Sequence, residues 1–118
     1  MNADQIAEIR PSLREVIDGA PDNCVTFEVH GGSGQWLQVV DRTINAAYPH
    51  EDHPEERLKA LPPLGGLWIS NWEARKFSTF ELPALEVTPL AYWIDAYFVA
   101  VLSCTAGDYH LDITFEKL

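Results

Sequence analysis

His50-Glu51-Asp52-His53 is the stretch whose residue types come nearest to ligand chemistry, because histidines three apart with intervening acids can hold zinc. Such a site needs a further ligand at a fixed place, and Pro54 directly afterwards puts these residues in a loop. His30 and His110 fall on expected strands and join them only if the fold brings them near. The expectation is a solvated loop without a metal. Gly31-Gly32-Ser33-Gly34 has the composition of a phosphate loop, but it lacks the Lys-Ser/Thr that reaches phosphates. A strand also follows where a helix N-terminus would be needed, so a hairpin turn is expected. Ser33, Ser70, Ser78 and Ser103 lie in no nucleophile elbow, and no Ser/His/Asp or Cys/His arrangement is legible from spacing. Glu55-Glu56 open a helix, where negative charge suits the macrodipole. These residues predict no catalytic, cofactor-binding or metal site, and no enzyme.

The aromatic residues carry more information. Trp36, Trp68 and Trp72 are expected on the sheet face away from the helices, with Tyr48 near them. There they line a groove for partner binding, either of an extended peptide or of an apolar ligand. Charge narrows the partner further. The formal charge is −10, from 18 acids against 8 bases, and Arg75-Lys76 is the only adjacent basic pair. Nucleic acid is repelled by such a field, whereas a basic peptide or protein face suits it. Cys24 and Cys104 are the only cysteines, and Met1-Asn2-Ala3-Asp4-Gln5 begins no signal peptide. Reduced thiols in a cytoplasmic protein are the expectation.

The elements that must position these side chains follow from periodicity. At 118 residues, 47% hydrophobic and 22% charged, the chain is expected to form one globular domain over residues 1–118. Asp4 can cap a first helix in which Ile6, Ile9, Leu13, Val16 and Ile17 recur at helical spacing, with Pro11 kinking or restarting it. Residues 24–30 alternate strictly and, with Gln35 to Asp41, form a hairpin; a third strand follows around Ile44 to Tyr48. Pro54 opens a short helix through Leu61, which Pro62-Pro63 stop. Leu67 to Trp72, with Trp68, Ser70 and Trp72 on one face, and Phe77 to Leu82 read as the next strands. Tyr109 to Phe115 reads as the last. The resulting order is α-β-β-β-α-β-β-α-β: an α+β fold, an antiparallel sheet with two long helices packed on one face.

The helix over residues 88–104, TPLAYWIDAYFVAVLSC, is unusually apolar, with Asp95 its one charged residue. Thr88 is expected to cap it, Pro89 to start it and Gly107 to break the chain after it. Leu90, Trp93, Ile94, Tyr97, Phe98, Val101 and Leu102 make a stripe that covers a sheet, yet the opposite face is poorly polar too. The run is too short, and Asp95 too central, for a membrane span. Burial within the monomer competes with burial against a second copy. The second is preferred: a homodimer whose interface uses Tyr92, Asp95, Ala96, Val99 and Ser103, with small residues at 96, 100 and 103 allowing close approach.

Trp36-Leu37-Gln38-Val39-Val40 resembles the aromatic–aliphatic–Gln strand of type III secretion chaperone-like domains, and more narrowly of their stand-alone bacterial relatives with a TY-Chap-type domain. Arg57-Leu58-Lys59-Ala60-Leu61 leading into Leu64-Gly65-Gly66-Leu67-Trp68, then Asn71-Trp72, continue the likeness. A long helix ending near Gly107, with Asp112-Ile113-Thr114-Phe115-Glu116 after it, extends it over nearly the whole chain. The resemblance implies an acidic homodimer that holds extended segments of a partner protein on its sheet and helix surfaces, without ATP or catalysis. It brings no catalytic residues, because that fold has none. The first expectation is therefore a chaperone-like or adaptor module. An acidic immunity protein that neutralises a basic toxin fits the charge equally well. A small-ligand protein or enzyme using the aromatic face is the third reading.

Overall fold

Alternate residues of the strands supply one dry face. Val25 and Phe27, Leu37 and Val39, Ile44 and Ala46, and Phe80 are all fully buried. The computed structural model describes residues 3–19, 21–32, 34–105 and 108–117, without the side chains of Ala3 and Asp4. Its elements are α1 (Ala3–Ile17), β1 (Asn23–Val29), β2 (Trp36–Val40), β3 (Thr43–Ala47), α2 (Pro54–Leu58), β4 (Trp68–Glu73), β5 (Phe77–Glu81), α3 (Val87–Ala100) and β6 (Leu111–Lys117). This is the order that the sequence predicts, and the class is α+β.

The strands form a six-stranded sheet in the order β4-β5-β3-β2-β1-β6, antiparallel at every step. One cross-strand row on the helix-bearing side runs Ile69, Phe80, Ile44, Val39, Val25, Phe115, dry through its middle and open to water at Phe115. Helix α1 lies over β1 and β2 and packs against α3. It does so through Ile6, Ile9, Leu13 and Val16. Each such side chain contributes about 1.5–3 kcal/mol when taken out of water. On α3, Trp93 and Tyr97 meet the ring of Phe80 edge-on, at 5.3 and 5.9 Å between centroids. The buried Tyr97 hydroxyl donates to the Ala47 carbonyl and lies 2.9 Å from the Ser78 hydroxyl, which fixes α3 over β3 and β5.

Several boundaries depart from the sequence reading. Helix α1 runs through Pro11 without restarting; Pro11 and Ala7 are both exposed, so water can satisfy the carbonyl left without a donor. Asp4 lies within the first turn, not before it, and its side chain is outside the described residues. Helix α3 starts at Val87 behind Glu86, so Thr88 is not its cap. Pro89 is tolerated there because first-turn N–H groups have no intrahelical acceptor. The helix ends at Ala100, and Leu102 and Cys104 then turn back onto the carbonyls of Tyr97 and Phe98. Ser103, at φ 62°, makes that turn. The break expected at Gly107 falls outside the described residues. Helix α2 stops at Leu58, and β6 begins at Leu111, after Tyr109 has turned into the core. No helix among the described residues is long and apolar enough to cross a membrane.

Candidate protein-docking groove

Strand β4 holds the site, and a single extra residue shapes it. The ladder to β5 pairs Ile69 with Phe80 and then Asn71 with Thr79, so Ser70 is a bulge. An extra residue reverses the side-chain alternation beyond it. Trp68 therefore stays on the face without helices, while Trp72 is carried to the helix side. There its ring meets Tyr48 at 6.1 Å and His53 at 5.0 Å, both edge-on. The expectation that Trp68, Ser70 and Trp72 share a face is corrected accordingly.

Between α2 and β4 lies a groove of about 580 Å³, lined by His53, Glu55 and Leu58 on one side and by residues 67–72 on the other. Consecutive residues of a strand point to opposite faces, so a lining that includes all of them follows the strand's edge. Strand β4 is the last in the sheet, and among the described residues the edge facing the groove has no neighbouring strand. The Trp72 N–H donates to its neighbour's Asn71 Oδ1 at 2.9 Å, a side chain standing in for a ladder. Leu58, Leu67, Ile69 and Trp72 give the groove half-buried apolar walls, and Trp68 stands at its rim, 52% exposed. The volume falls within the range that holds a peptide side chain or small ligand.

The α2 wall is held by short-range bonds. His53 Nδ1 accepts from the Glu55 N–H at the start of the helix, 3.1 Å away. Arg57 donates to Asp52 Oδ1 from Nη2 at 3.0 Å and Nε at 3.3 Å. That bond holds the Asp52 carboxyl below the usual carboxylate range. The buried Tyr48 hydroxyl donates to the Asp52 carbonyl at 2.5 Å, and burial pushes its ionisation up. His50 Nε2 donates to the Val101 carbonyl at 2.7 Å, tying the loop before α2 to the end of α3. On the other side, Gly66 at φ 75° turns the chain into β4, and a Cβ there would meet Pro83 Cγ at 2.6 Å.

Of the expected partner-binding residues, the structure brings Trp68 and Trp72 to this groove. Tyr48 is only 1% exposed and serves as backing for Trp72, not as a contact surface. Trp36 lies on the helix-free face, two strands beyond β5 in the sheet order. Of the expected dimer-interface residues, Tyr92 is 39% exposed, Ala96 and Val99 are half-buried and Ser103 is exposed. Asp95 is not on that outer face; it is buried, bonded to Tyr109. Leu58, Leu67, Ile69, Asn71, His53 and Glu55 were not expected at the site. Only the apolar alternation of Leu67 and Ile69 signals them in the sequence.

Among the described residues no group of three or more His, Cys, Asp or Glu side chains could hold a metal ion. His50 and His53 are committed to the contacts above, and the His30 ring reaches Asp112 at 3.1 Å. Cys24 and Cys104 are free and buried, and burial raises both thiols. No protein-family model matches the chain, and comparison with curated proteins and with solved structures likewise finds no match.

Proposed function

We propose that this chain is a non-enzymatic protein-binding module, chaperone-like or adaptor-like, that holds an extended segment of a partner polypeptide between α2 and β4. The observation that carries the reading is a groove of mixed polar and apolar lining that runs along a strand edge which, among the described residues, no other strand occupies. Main-chain donors and acceptors at such an edge bind a second extended chain, and flanking pockets select its alternate side chains. Leu58, Ile69 and Trp72 supply the pockets, and Glu55 favours a basic residue in the segment. Dimerisation through the outer face of α3, by Tyr92, Ala96, Val99 and Ser103, belongs to the same reading. The likeness to type III secretion chaperone-like domains supports it as well.

A selection of random displayed dodecapeptides on the immobilised protein tests this. Enriched peptides are expected to alternate apolar residues, and to lose binding to Ile69→Lys and Trp68→Ala proteins that keep their circular dichroism. Enrichment of nothing, or of peptides indifferent to both variants, would overturn the proposal.

A further inference from the structure

The sheet face without helices is a second, chemically distinct surface. Its side chains stand in cross-strand rows. The middle row, Asn71, Thr79, Asn45, Gln38, Thr26, Thr114, is uncharged throughout. It is partly self-satisfied, since Gln38 Nε2 donates to Thr26 Oγ1 at 3.3 Å and Thr79 Oγ1 to Asn45 Oδ1 at 2.8 Å. The rows on either side are Trp68, Glu81, Thr43, Val40, Cys24, Glu116 and Glu73, Phe77, Ala47, Trp36, Glu28, Asp112. Every ionisable group in these rows other than the buried Cys24 is a carboxylate, and no lysine or arginine occurs in them. Lys76 reaches in from the β4–β5 turn, but only to Glu73 at the far margin.

The β1–β6 corner departs most from what stability asks. Glu28 stands directly opposite Asp112, and Trp36 opposite Glu28 on its other side. Like charges in directly opposed positions destabilise a sheet. The His30 ring beside Asp112 is the nearest group able to offset them, and that pair is largely open to water. An arginine arriving from outside would meet carboxylates on two strands and the face of an indole in the same row. Guanidinium groups bind this combination, forked onto carboxylates and stacked on rings.

We infer that the helix-free face docks the arginine-bearing surface of a basic partner protein, with an arginine side chain seated at Trp36, Glu28 and Asp112. Charge complementarity selects the occupant: a face on which carboxylates outnumber the bases at its margins, His30, His110 and Lys76, repels a second copy of itself. The neutral middle row leaves room for a broad surface rather than a threaded segment. This surface is separate from the groove, and each can fail without the other.

The probe is acetyl-hexaarginine amide, titrated into 15N-labelled protein. Shifts are expected at the Trp36 indole and at the β1, β2 and β6 amides. Glu28→Gln/Asp112→Asn should weaken the peptide about ten-fold, the loss of roughly one strong charge contact. Removing the same charge from the water-facing side of α1, by Glu8→Gln/Glu15→Gln, should change affinity less than about two-fold, because exposed charges a Debye length away are screened. Trp36→Leu should weaken binding about three- to five-fold, with Trp36→Phe restoring part of it. Because Glu28→Gln/Asp112→Asn relieves repulsion, that variant should melt no lower than the parent. It should also keep full capture of groove-selected dodecapeptides. Equal weakening by both double variants would show only overall charge and would overturn the inference. So would shifts confined to α1 or to the groove.

Discussion

Tyr109 donates its hydroxyl to Asp95 Oδ1 at 2.5 Å, in the interior, tying the approach to β6 onto the middle of α3. Asp95 is 3% exposed, and this bond explains how an otherwise apolar helix carries a carboxylate. Tyr109→Phe leaves that carboxylate buried without its donor and should cost about 2–4 kcal/mol in urea unfolding. Asp95→Leu/Tyr109→Phe, which removes both groups, should be more stable than Tyr109→Phe alone. A Tyr109→Phe loss within experimental error would show that the bond does not support the fold.

The Tyr97 hydroxyl joins Ala47 and Ser78 inside the core. Tyr97→Phe should cost about 1–2 kcal/mol, because it leaves the Ala47 carbonyl and the Ser78 hydroxyl short of a partner. Chemical denaturation checks this.

Alkaline pH should unfold the protein through these same phenols. Burial raises the ionisation of both Tyr97 and Tyr109 above the usual tyrosine value, and the bond to Asp95 raises Tyr109 further. Above about pH 10 the unfolded chain releases these protons while the folded chain keeps them, so stability falls as pH rises. Below that pH their contribution is fully present. The slope should approach about 1.4 kcal/mol per pH unit per tyrosine, and Tyr97→Phe should lower it by one such increment. Urea midpoints measured from pH 9 to 12 would show it.

Deleting Ser70 should leave Trp72 against Tyr48 and His53. Residues 69 and 71 already pair with adjacent residues of β5, so removing the extra residue regularises the ladder without reversing any side chain. The deletion loses the Ser70–Glu81 hydrogen bond, worth about 1 kcal/mol. Nuclear Overhauser contacts from Trp72 to Tyr48 should persist. Their loss would mean that the bulge does not set the strand's phase.

Val99→Glu on the outer face of α3 should yield a 13 kDa species in light scattering, at a concentration where the parent is twice that mass. Its melting temperature at low concentration should stay close to the parent's, because Val99 is only half-buried. A parent that is itself monomeric at tens of micromolar would end the dimer proposal.

The sequence makes most of the architecture legible because its apolar periods are clean. Val25, Phe27 and the Leu90-to-Leu102 stripe report their burial directly. The groove is much less legible. Counting alternation along β4 puts Trp68 and Trp72 together, and no residue type announces the bulge that parts them. Asp95 misleads in a related way: by spacing it lies opposite the apolar stripe, but its partner Tyr109 is 14 residues away and meets it only in the folded chain. Tyr48 looks like a binding aromatic until the Asp52 carbonyl takes its hydroxyl. In each case a pairing set by tertiary structure outweighs local pattern.

The sheet's β1–β6 seam joins Asn23 to Lys117, 94 positions apart in sequence. During synthesis, β1 must therefore wait with one flank bare until β6 has been made. Contacts so distant in sequence close slowly, and an open β-edge on a nascent chain invites wrong pairings. Carboxylates at Glu28, Asp112 and Glu116 along that seam would deter such pairings with other acidic chains of its kind, at the cost of a weaker final join.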